Sequence, residues 1–424
     1  MRNGIRRDRT DVRTGTVGGQ VGTAGFSMLE SHLPAARERI RVLFVMMQMA
    51  MGGSERLVFN LVRSMDRSRF APSIVFFAPE QPLAEFEELQ VPLHYVPKQR
   101  RVDWATMRHI ARIVREERID VVNAHHFMPF VYSFYAAKVA NRARLVYTEH
   151  SEADVAAVSG KWQPVGCRLL RWSDGAIGIS GRVAESITSH FALDAPFVHA
   201  IANGVDCRVF AADPAVRSRL RRELALTDGD VVLGHVANFR HNKNHLFLLR
   251  AVRELARTRP DVKLLLVGQG FAGDPENSGP DIARFIEANG LQSVVRTLGY
   301  RPDVQDVLKA LDVFCLVSHK EGLPLSLVEA MATGIPVVAT DIESIRQVVE
   351  PGTVGSLVAP DDVHGLVAAL HRLIDDESLR QRMGAAGAQV AARRFSLARC
   401  VDQTQELFAS LVTRKTEFRS PSNL

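Results

Sequence analysis

This sequence of 424 residues lacks several features that would assign it to other classes of protein. No apolar run reaches the roughly 18 residues that a membrane-spanning helix needs, and no apolar core follows the N-terminal arginines, as a secretory signal would require. The Gly-x-Ser-x-Gly turn of many hydrolases is also absent. The cysteines form no CxxC pair, which argues against a disulfide framework or a zinc site; they are Cys167, Cys207, Cys315 and Cys400. We therefore expect a cytoplasmic protein.

Basic residues outnumber acidic ones and give a net charge of +6, which favours acidic partners such as nucleotides or phospholipid head groups. Aromatic residues do not interleave with the basic ones, so we do not expect nucleic-acid binding. A basic stretch could make peripheral contact with the inner face of an anionic membrane, or could simply be a solvated helix face. It comprises Lys98, Arg100, Arg101, Arg108, Arg112, Arg115 and Arg118.

Short apolar runs alternate with stretches of helical spacing along most of the chain. The run from Arg41 to Met46 is typical of a parallel strand buried on both faces, and the alternation begins again after the turn 203–206. Strands that alternate with helices predict βαβ units, here two doubly wound α/β domains. The predicted divisions are a disordered leader (1–38), an N-terminal domain (39–206), a C-terminal domain (207–395), a helix returning to the first domain (396–413) and a tail (414–424).

A loop and helix in the second domain carry the strongest signal of a site. Glu321 and Gly322 follow a predicted strand, and Pro324 stands where a helix would begin, because Pro favours the first helical turn. Glu329 lies inside that helix, with seven residues between the two glutamates. One carboxylate could accept hydrogen bonds from sugar hydroxyls while the other reaches a ribose. Free amides at such a helix start bind phosphate; they belong to Leu323, Leu325 and Ser326.

Glycines and histidines mark the ends of strands in the first domain. Gly52 and Gly53 follow the first strand, where glycine lets the backbone come close to a ligand. His125 and His126 end a later predicted strand, and His150 ends the next one. Three histidines suggest a metal, but no carboxylate at ligand spacing accompanies them. We therefore expect no metal here.

From about residue 40 to residue 410 the chain resembles the retaining glycosyltransferases of family 4, which have the GT-B fold. Their hallmark is two glutamates separated by seven residues, followed by Ala-x-Ala/Met-x-x-Gly-x-Pro-Val. The matching residues are Glu321, Gly322, Glu329, Ala330, Gly334, Pro336 and Val337. The resemblance implies two Rossmann-like domains that face each other across a cleft. The first domain would be the acceptor side, and the second would bind the nucleotide-sugar.

The resemblance also implies roles for particular residues. Lys243 falls at the family's lysine for the donor diphosphate, where a fixed ammonium would stabilise charge developing on the leaving group. The family's usual arginine position falls at Asn238, so Arg240, two residues on, is a candidate to replace that charge. His150 matches a histidine near the donor sugar. Further matches are Gly52, Gly53, Gly268 and Gly270 on the donor side, and His125 and His126 on the acceptor side.

These matches predict a hexosyltransferase of polysaccharide or cell-envelope synthesis, with a UDP- or GDP-sugar as donor and a glycan or lipid-linked sugar as acceptor. No carboxylate is an obvious nucleophile, so a front-face displacement is expected. An Asp-x-Asp motif at a strand's end would hold Mg²⁺, but the run 228–230 precedes a strand and is typical of a turn. We therefore expect no metal and no other cofactor. The alternatives are a nucleotide-sugar epimerase on the same fold and a non-catalytic nucleotide- or glycan-binding protein.

Overall fold

Two parallel β-sheets form the framework of the protein. The computed structural model describes residues 39–47, 53–77, 84–98, 103–271 and 273–417. Both sheets belong to one compact unit, Arg39–Leu424. Predictions that concern the leader 1–38, Gly52, Arg100 or Arg101 lie outside the described residues.

The N-terminal sheet has seven strands, and apolar side chains line nearly all of its central ones. They are β1 (Ile40–Met46), β2 (Phe70–Phe76), β3 (Leu93–Tyr95), β4 (Val121–His125), β5 (Arg144–Glu149), β6 (Gly175–Gly178) and β7 (Val198–Ala200). Their order is β3-β2-β1-β4-β5-β6-β7, with every neighbouring pair parallel. Successive strands are added on one side of β1 as far as β3, and on its other side from β4 onwards. Such a switch point in strand order opens a crevice at the carboxyl ends of the strands.

The C-terminal sheet repeats this arrangement with six strands. They are β8 (Val231–Val236), β9 (Val262–Val267), β10 (Val295–Gly299), β11 (Val313–Leu316), β12 (Val337–Thr340) and β13 (Gly355–Val358). Their order is β10-β9-β8-β11-β12-β13, again all parallel, with the switch point between β8 and β11. The predicted fold class, two doubly wound α/β domains, is confirmed.

Helices connect the strands and cover both sheets, and each has a local sequence cause. The helix at Trp104–Glu116 begins after Asp103, whose carboxylate accepts from the amides of Ala105 (3.0 Å) and Thr106 (3.4 Å). Its apolar residues recur at helical spacing, and Met107 and Ile110 on that face are buried. None of the helices in the described part of the chain is long and apolar enough to cross a membrane.

The helices fall into two sets that follow the two sheets. Those of the first half are α1 (Gly53–Ser64), α2 (Ala84–Glu87), α3 (Trp104–Glu116), α4 (Phe127–Phe134), α5 (Glu152–Ala157), α6 (Trp162–Arg171) and α7 (Gly181–Phe191). Those of the second half are α8 (Cys207–Phe210), α9 (Pro214–Glu223), α10 (His245–Ala256), α11 (Gly279–Ala288), α12 (Val304–Lys309), α13 (Leu325–Ala332), α14 (Glu343–Arg346), α15 (Val363–Asp375), α16 (Glu377–Arg394) and α17 (Leu397–Glu417).

The chain passes between the two sheets at two places, and the two passing segments are bonded to each other. The amide of Val205 donates to the carbonyl of Phe395 (2.8 Å), and the amide of Leu397 donates back to the carbonyl of Val205 (2.9 Å). Gly204 lies so close to this partner that a Cβ there would stand 2.5 Å from the Cα of Leu397. Only glycine fits this approach.

The last helix, α17, packs against α1 beside the first sheet. The Phe408 ring lies 6.3 Å from the ring of Phe44 in β1, and Gln405 accepts from the amide of Asp66 (2.8 Å). The domain boundaries given above stay a prediction.

Candidate active site

A cavity of about 280 Å³ is lined by residues that follow strands of both sheets. From the first half come Gly53, Ser54, His150, Ile179 and Asn203, and from the second half Val236, Ala237, Asn238, Lys243, Leu316, Glu321, Gly322, Leu323, Pro324, Leu325 and Ser326. Residues distant in sequence meet here because parallel strands present their carboxyl ends at one edge of each sheet. Most of the residues predicted for the donor are therefore brought together.

Glu321 is held by two side chains inside this cavity. Lys243 donates from its Nζ to both carboxylate oxygens, at 2.7 and 2.8 Å. The hydroxyl of Ser318 donates to Oε1 at 2.6 Å. The Lys243 and Glu321 side chains are only 22% and 10% exposed, so the pair is partly shielded from water and its geometry is fixed. Charge-assisted hydrogen bonds of this length are strong.

The start of α13 points its amides into the same cavity. Pro324 caps the helix, and its carbonyl accepts from the amides of Leu327 and Val328. The earlier amides of Leu325 and Ser326 therefore have no acceptor within the helix, and both residues line the cavity. Free amides at the positive end of a helix dipole form an anion site.

Three other donor-side predictions lie outside this lining. Arg240 is 45% exposed and pairs with Asp274 (3.0 Å). Gly268 is held against the neighbouring loop, where a Cβ would stand 2.0 Å from the carbonyl oxygen of Ala237. Gly270 packs against the side chain of Asn277. All three shape or flank the loop at 237–244 rather than the cavity itself.

A chain of hydrogen bonds reaches His150 from the interior of the first sheet. Asn123 donates from Nδ2 to Thr148 Oγ1 (2.8 Å) and the Val146 carbonyl (3.4 Å). A carbonyl can only accept, so Oδ1 of Asn123 must face Nε2 of His125, 2.9 Å away. Nδ1 of His125 lies 2.9 Å from Nε2 of His150.

These hydrogen bonds determine which ring nitrogen carries the proton on His125 and on His150. Burial lowers the pKa of His125 to about 3, so the ring is neutral and carries one proton. That proton is on Nε2, because Asn123 accepts it. Nδ1 of His125 then accepts from Nε2–H of His150, whose pKa burial holds well below the usual value. The structure therefore leaves Nδ1 of His150 as a buried lone pair without a partner.

His126 belongs to a different cluster on the far side of His150. Its Nδ1 lies 2.8 Å from Glu149 Oε1, and the hydroxyl of Tyr147 donates to Oε2 at 2.6 Å. Burial alone would lower the pKa of His126, but the hydrogen bond and charge of Glu149 outweigh burial and raise it. The backbone at His126 has φ of 70° and ψ of 161°, a conformation that few residues other than glycine adopt. Such strain is common at functional sites.

A second cavity, of about 310 Å³, opens beside this cluster. His126, Glu149 and Asp154 meet apolar side chains there, including Met47 and Trp162. A mixture of apolar surface and a few polar groups suits a sugar or a lipid-linked sugar. His125 is 1% exposed and reaches neither cavity.

The same cluster bears on the expectation of no metal. Ligand atoms of His126, Glu149 and Asp154 all lie within 4.8 Å of one another, the one such group among the described residues. Carboxylates therefore do accompany a histidine here, although sequence spacing did not show them. Glu149 already binds Tyr147, His126 and the His150 amide.

Glu329 faces a third cavity, of about 320 Å³, that contains Tyr300 and Arg56 as well. Glu329 is 6% exposed, and Arg56 of α1 approaches its carboxylate to 3.7 Å. Burial raises the pKa of Glu329, and the charge of Arg56 partly opposes this. Sequence reasoning placed Glu329 in a helix but did not identify Arg56, which comes from the other half of the chain.

Gly322 forms a close contact between the two halves of the cleft. A Cβ at this position would stand 2.6 Å from the carbonyl oxygen of His150. Glycine is therefore required for the Glu321 loop to touch the His150 loop. By contrast, a Cβ at Gly53 would have nothing within 4 Å.

Several groups near the site were not foreseen. Ser318 precedes Glu321 by three residues and carries no motif of its own. Asn123 shares a strand face with His125, since side chains two apart point the same way, and this spacing could have revealed it. Next to the loop at 237–244, His235 and His245 meet edge to face with ring centroids 4.6 Å apart, and burial lowers their pKa values to about 4 and about 2. Both are therefore neutral.

Comparisons with known proteins point to one family of enzymes. Residues 216–390 match the family model "Glycosyl transferases group 1", and residues 51–209 match "Glycosyltransferase Family 4". The chain is 26% identical over 328 residues to N-acetyl-alpha-D-glucosaminyl L-malate synthase of Bacillus anthracis, covering 76% of this chain and 83% of that protein. It is 23% identical to UDP-Gal:alpha-D-GlcNAc-diphosphoundecaprenol alpha-1,3-galactosyltransferase of Escherichia coli, covering 90% of this chain and all of that protein.

Solved structures show the same fold. Anabaena HepE in complex with UDP and glucose superposes with a TM-score of 0.75 at 23% identity, covering 88% of this chain and 100% of that one. A sucrose-phosphate synthase from Thermosynechococcus elongatus gives 0.74 at 18% identity, covering 89% of this chain and 100% of that one. Two family models match consecutive segments that together make up well over half of the chain, and its relatives and fold agree with them, so this protein belongs to the group 1 glycosyltransferases with the GT-B fold.

Proposed function

We propose that this glycosyltransferase moves a hexose from a UDP- or GDP-sugar to a hydroxyl of a glycan or lipid-linked sugar, with retention at the anomeric carbon. One observation carries the proposal. The ammonium of Lys243, the free amides of α13 and the carboxylate of Glu321 converge on a single cavity between the sheets. The first two bind a diphosphate, and the third accepts hydrogen bonds from sugar hydroxyls.

The donor's remaining parts have room along the same wall. Glu329 and Tyr300 line the adjoining cavity on the C-terminal half, where a carboxylate suits ribose hydroxyls and an exposed ring suits a base. HepE was solved with UDP and glucose, and the Escherichia coli relative is named for UDP-Gal. A UDP-sugar is accordingly the first donor to test.

Retention follows from a displacement on one face of the sugar. The bond from the anomeric carbon to the diphosphate oxygen breaks, and the bond to the acceptor oxygen forms on the same side. The acceptor's proton passes to the departing phosphate oxygen. Lys243 and the α13 amides stabilise the charge gathering on the leaving group. Glu321 is the one carboxylate among the described residues lining this cavity, and its pairing with Lys243 makes it a poor nucleophile.

We propose that transfer needs no metal, because Lys243 and helix amides supply the positive charge at the leaving group. Activity should therefore survive EDTA in a buffer freed of divalent cations. Loss of activity with EDTA and its recovery with Mg²⁺ or Mn²⁺ would contradict this. The cluster of His126, Glu149 and Asp154 is the place where such a metal would then be sought.

The acceptor enters on the side of the first sheet, where His126 faces its own cavity. Arg108, Arg112 and Arg115 are exposed on α3, and their contact with anionic lipid stays a prediction. Flotation with vesicles containing an anionic lipid, compared with neutral vesicles, tests it.

The proposed function is tested with Lys243→Met, using Lys320→Met as the matched control. Lys320 is exposed next to Glu321 and does not line the cavity. Losing a charge-assisted contact to the leaving group should cost about 2–4 kcal/mol in the transition state, or about 30- to 1,000-fold in turnover. Release of UDP from UDP-sugars and of GDP from GDP-sugars, across a panel of both, measures this. The control should keep wild-type activity.

Three outcomes would contradict the proposal. Lys243→Met activity within a few-fold of the control would remove Lys243 from the reaction. Conversion of the nucleotide-sugar to an isomer without any acceptor would indicate the epimerase instead. Binding of donor with no turnover on any acceptor would favour a non-catalytic protein.

A further inference from the structure

The catalytic cavity continues into a fourth cavity, of about 340 Å³, to which no role has yet been given. Leu323 lines both cavities. On the first sheet's side, Ile179 lines the catalytic cavity and its neighbour Ser180 lines this one. Likewise, Ala202 lines the fourth cavity and its neighbour Asn203 lines the catalytic cavity. The two cavities are therefore consecutive parts of one cleft, separated by the side chain of Leu323.

This end of the cleft is strongly basic. Arg393, Arg394 and Arg399 line it, and none of its lining residues, all of which the structure describes, is Asp or Glu. Arg394 donates to the carbonyl of Gln347 (2.7 Å) and lies 3.7 Å from Glu350. Among the described residues, the guanidinium groups of Arg393 and Arg399 form no ion pair. The cavity wall therefore carries two arginines without an ion pair, and a third, Arg394, whose side chain is about half exposed.

The opposite wall is also electropositive. Helix α7 begins at Gly181 in this cavity, with Ser180 as its cap. The Ser180 hydroxyl accepts from the amide of Val183 (3.2 Å). The amides of Gly181 and Arg182 come earlier in the helix and have no intrahelical acceptor. An anion between α7 and the arginines would therefore be bound from both halves of the protein.

The donor does not account for this charge. Its diphosphate is assigned to Lys243 and the start of α13, on the other side of Leu323. We propose that the basic cavity holds a phosphate or diphosphate group of the acceptor, so that the acceptor substrate is an anionic sugar rather than a neutral glycan. This inference rests on the proposed function and deepens it. The group belongs either to a soluble sugar phosphate or to the diphosphate of a lipid-linked sugar.

The test measures anion binding to protein already saturated with UDP, so that the donor's diphosphate site is occupied. Inorganic phosphate and glucose 1-phosphate are titrated by calorimetry into wild type, into Arg393→Ala/Arg399→Ala and into Arg372→Ala/Arg382→Ala. The last variant loses the same charge from exposed positions on α15 and α16 that do not line the cavity. We expect Kd to rise at least about tenfold in the first variant and to stay unchanged in the second.

The outcomes separate this inference from the proposed function. Failure of both UDP and GDP to bind wild type contradicts the proposed function itself, and GDP replaces UDP in the titrations if only GDP binds. UDP binding without binding of either phosphate probe, or equal phosphate affinity in both double variants, overturns only the anionic-acceptor inference. UDP binding by each variant also shows that it is folded, and Arg399→Gln gives a milder second variant.

A further arm distinguishes the two sources of phosphate. Glucose 1-phosphate is compared with glucose joined through a diphosphate to a short isoprenoid chain in detergent micelles. Tighter arginine-dependent binding of the second ligand identifies a lipid-linked acceptor, and equal binding identifies a soluble sugar phosphate. Unphosphorylated glucose should show no dependence on Arg393 and Arg399. If glucose does show that dependence, the inference fails.

Discussion

Asn123 does not line the cavity, but it determines which nitrogen of His150 carries the proton. Replacing Asn123 should move that proton from Nε2 to Nδ1. In the wild type, Asn123 Oδ1 accepts from His125 Nε2, and His125 Nδ1 accepts from His150 Nε2. Asn123→Leu removes the first acceptor. His125 then keeps an unpaired buried N–H or moves its proton to Nδ1. In the second case His150 must accept at Nε2 and carry its own proton on Nδ1.

The structure sets the size of the effect. Asn123 and His125 are each 1% exposed, so water cannot replace the lost acceptor. A buried donor left unpaired costs about 1–3 kcal/mol, and the tautomer shift moves that donor from His125 Nε2 to His150 Nδ1, where a group bound in the cavity can accept from it. Asn123→Leu should therefore lower the free energy of unfolding by an amount in this range. Nδ1 of His150 would change from acceptor to donor, with a loss of about tenfold or more in kcat/KM.

Thr148→Val is the matched control. It removes the hydroxyl that accepts from Asn123 Nδ2 but leaves Oδ1 facing His125. Stability should fall by about 1 kcal/mol while both tautomers stay as in the wild type. Long-range ¹H–¹⁵N spectra of the histidine rings read the tautomers directly. A wild-type spectrum with the His125 proton on Nδ1, or an unchanged His150 tautomer in Asn123→Leu, would refute the reasoning.

Two further predictions concern the cleft and its pH dependence. Gly322→Ala should separate the Glu321 loop from the His150 loop, because the new Cβ would meet a backbone oxygen at 2.6 Å, and kcat/KM should fall at least about tenfold. Gly229→Ala, whose Cβ would have only Thr227 Oγ1 at 4.0 Å, should be close to wild type, and equal effects of the two changes would contradict this. Because the pKa of His126 is raised from 6.5, its pair with Glu149 stabilises the fold fully below about pH 6.5, and that stability is lost as pH rises through the raised value. The stability difference between wild type and Glu149→Gln, from denaturant titrations, should therefore shrink between about pH 6 and about pH 9, and a constant difference would contradict the assignment.

Most of the strands could be predicted because each one is a single continuous apolar segment of the sequence. β8 and β9 consist mostly of Val and Leu, and their observed bounds are those that the apolar pattern predicts. β3 was not predicted. Leu93–Tyr95 is only three residues long, and none of them is buried, so it carries no apolar run. Its place at the sheet edge depends on pairing with β2 rather than on its own composition.

The site also has parts that the local sequence predicts and parts that it does not. Glu321, Gly322 and the start of α13 form one contiguous motif, and the structure brings them together with Lys243. The bonds to His150 depend instead on the register of β4 against β5, which pairs His125 with Thr148. Two strands separated by a helix fix that register, and no local pattern reveals it. Arg240 was predicted from its charge and its place in the motif. It does not reach the cavity, because it pairs with Asp274.

The two bonded crossings limit how the halves of the enzyme move. Val205 is joined to Phe395 and Leu397 by paired hydrogen bonds, so the segments behave as one hinge rather than as two independent tethers. Rotation about the line of that hinge keeps both bonds, whereas sliding or twisting breaks them. We therefore expect the cleft to open by rotation about this joint, because that motion keeps both hydrogen bonds. A side chain at position 204 would push the two crossing segments apart and so weaken the joint.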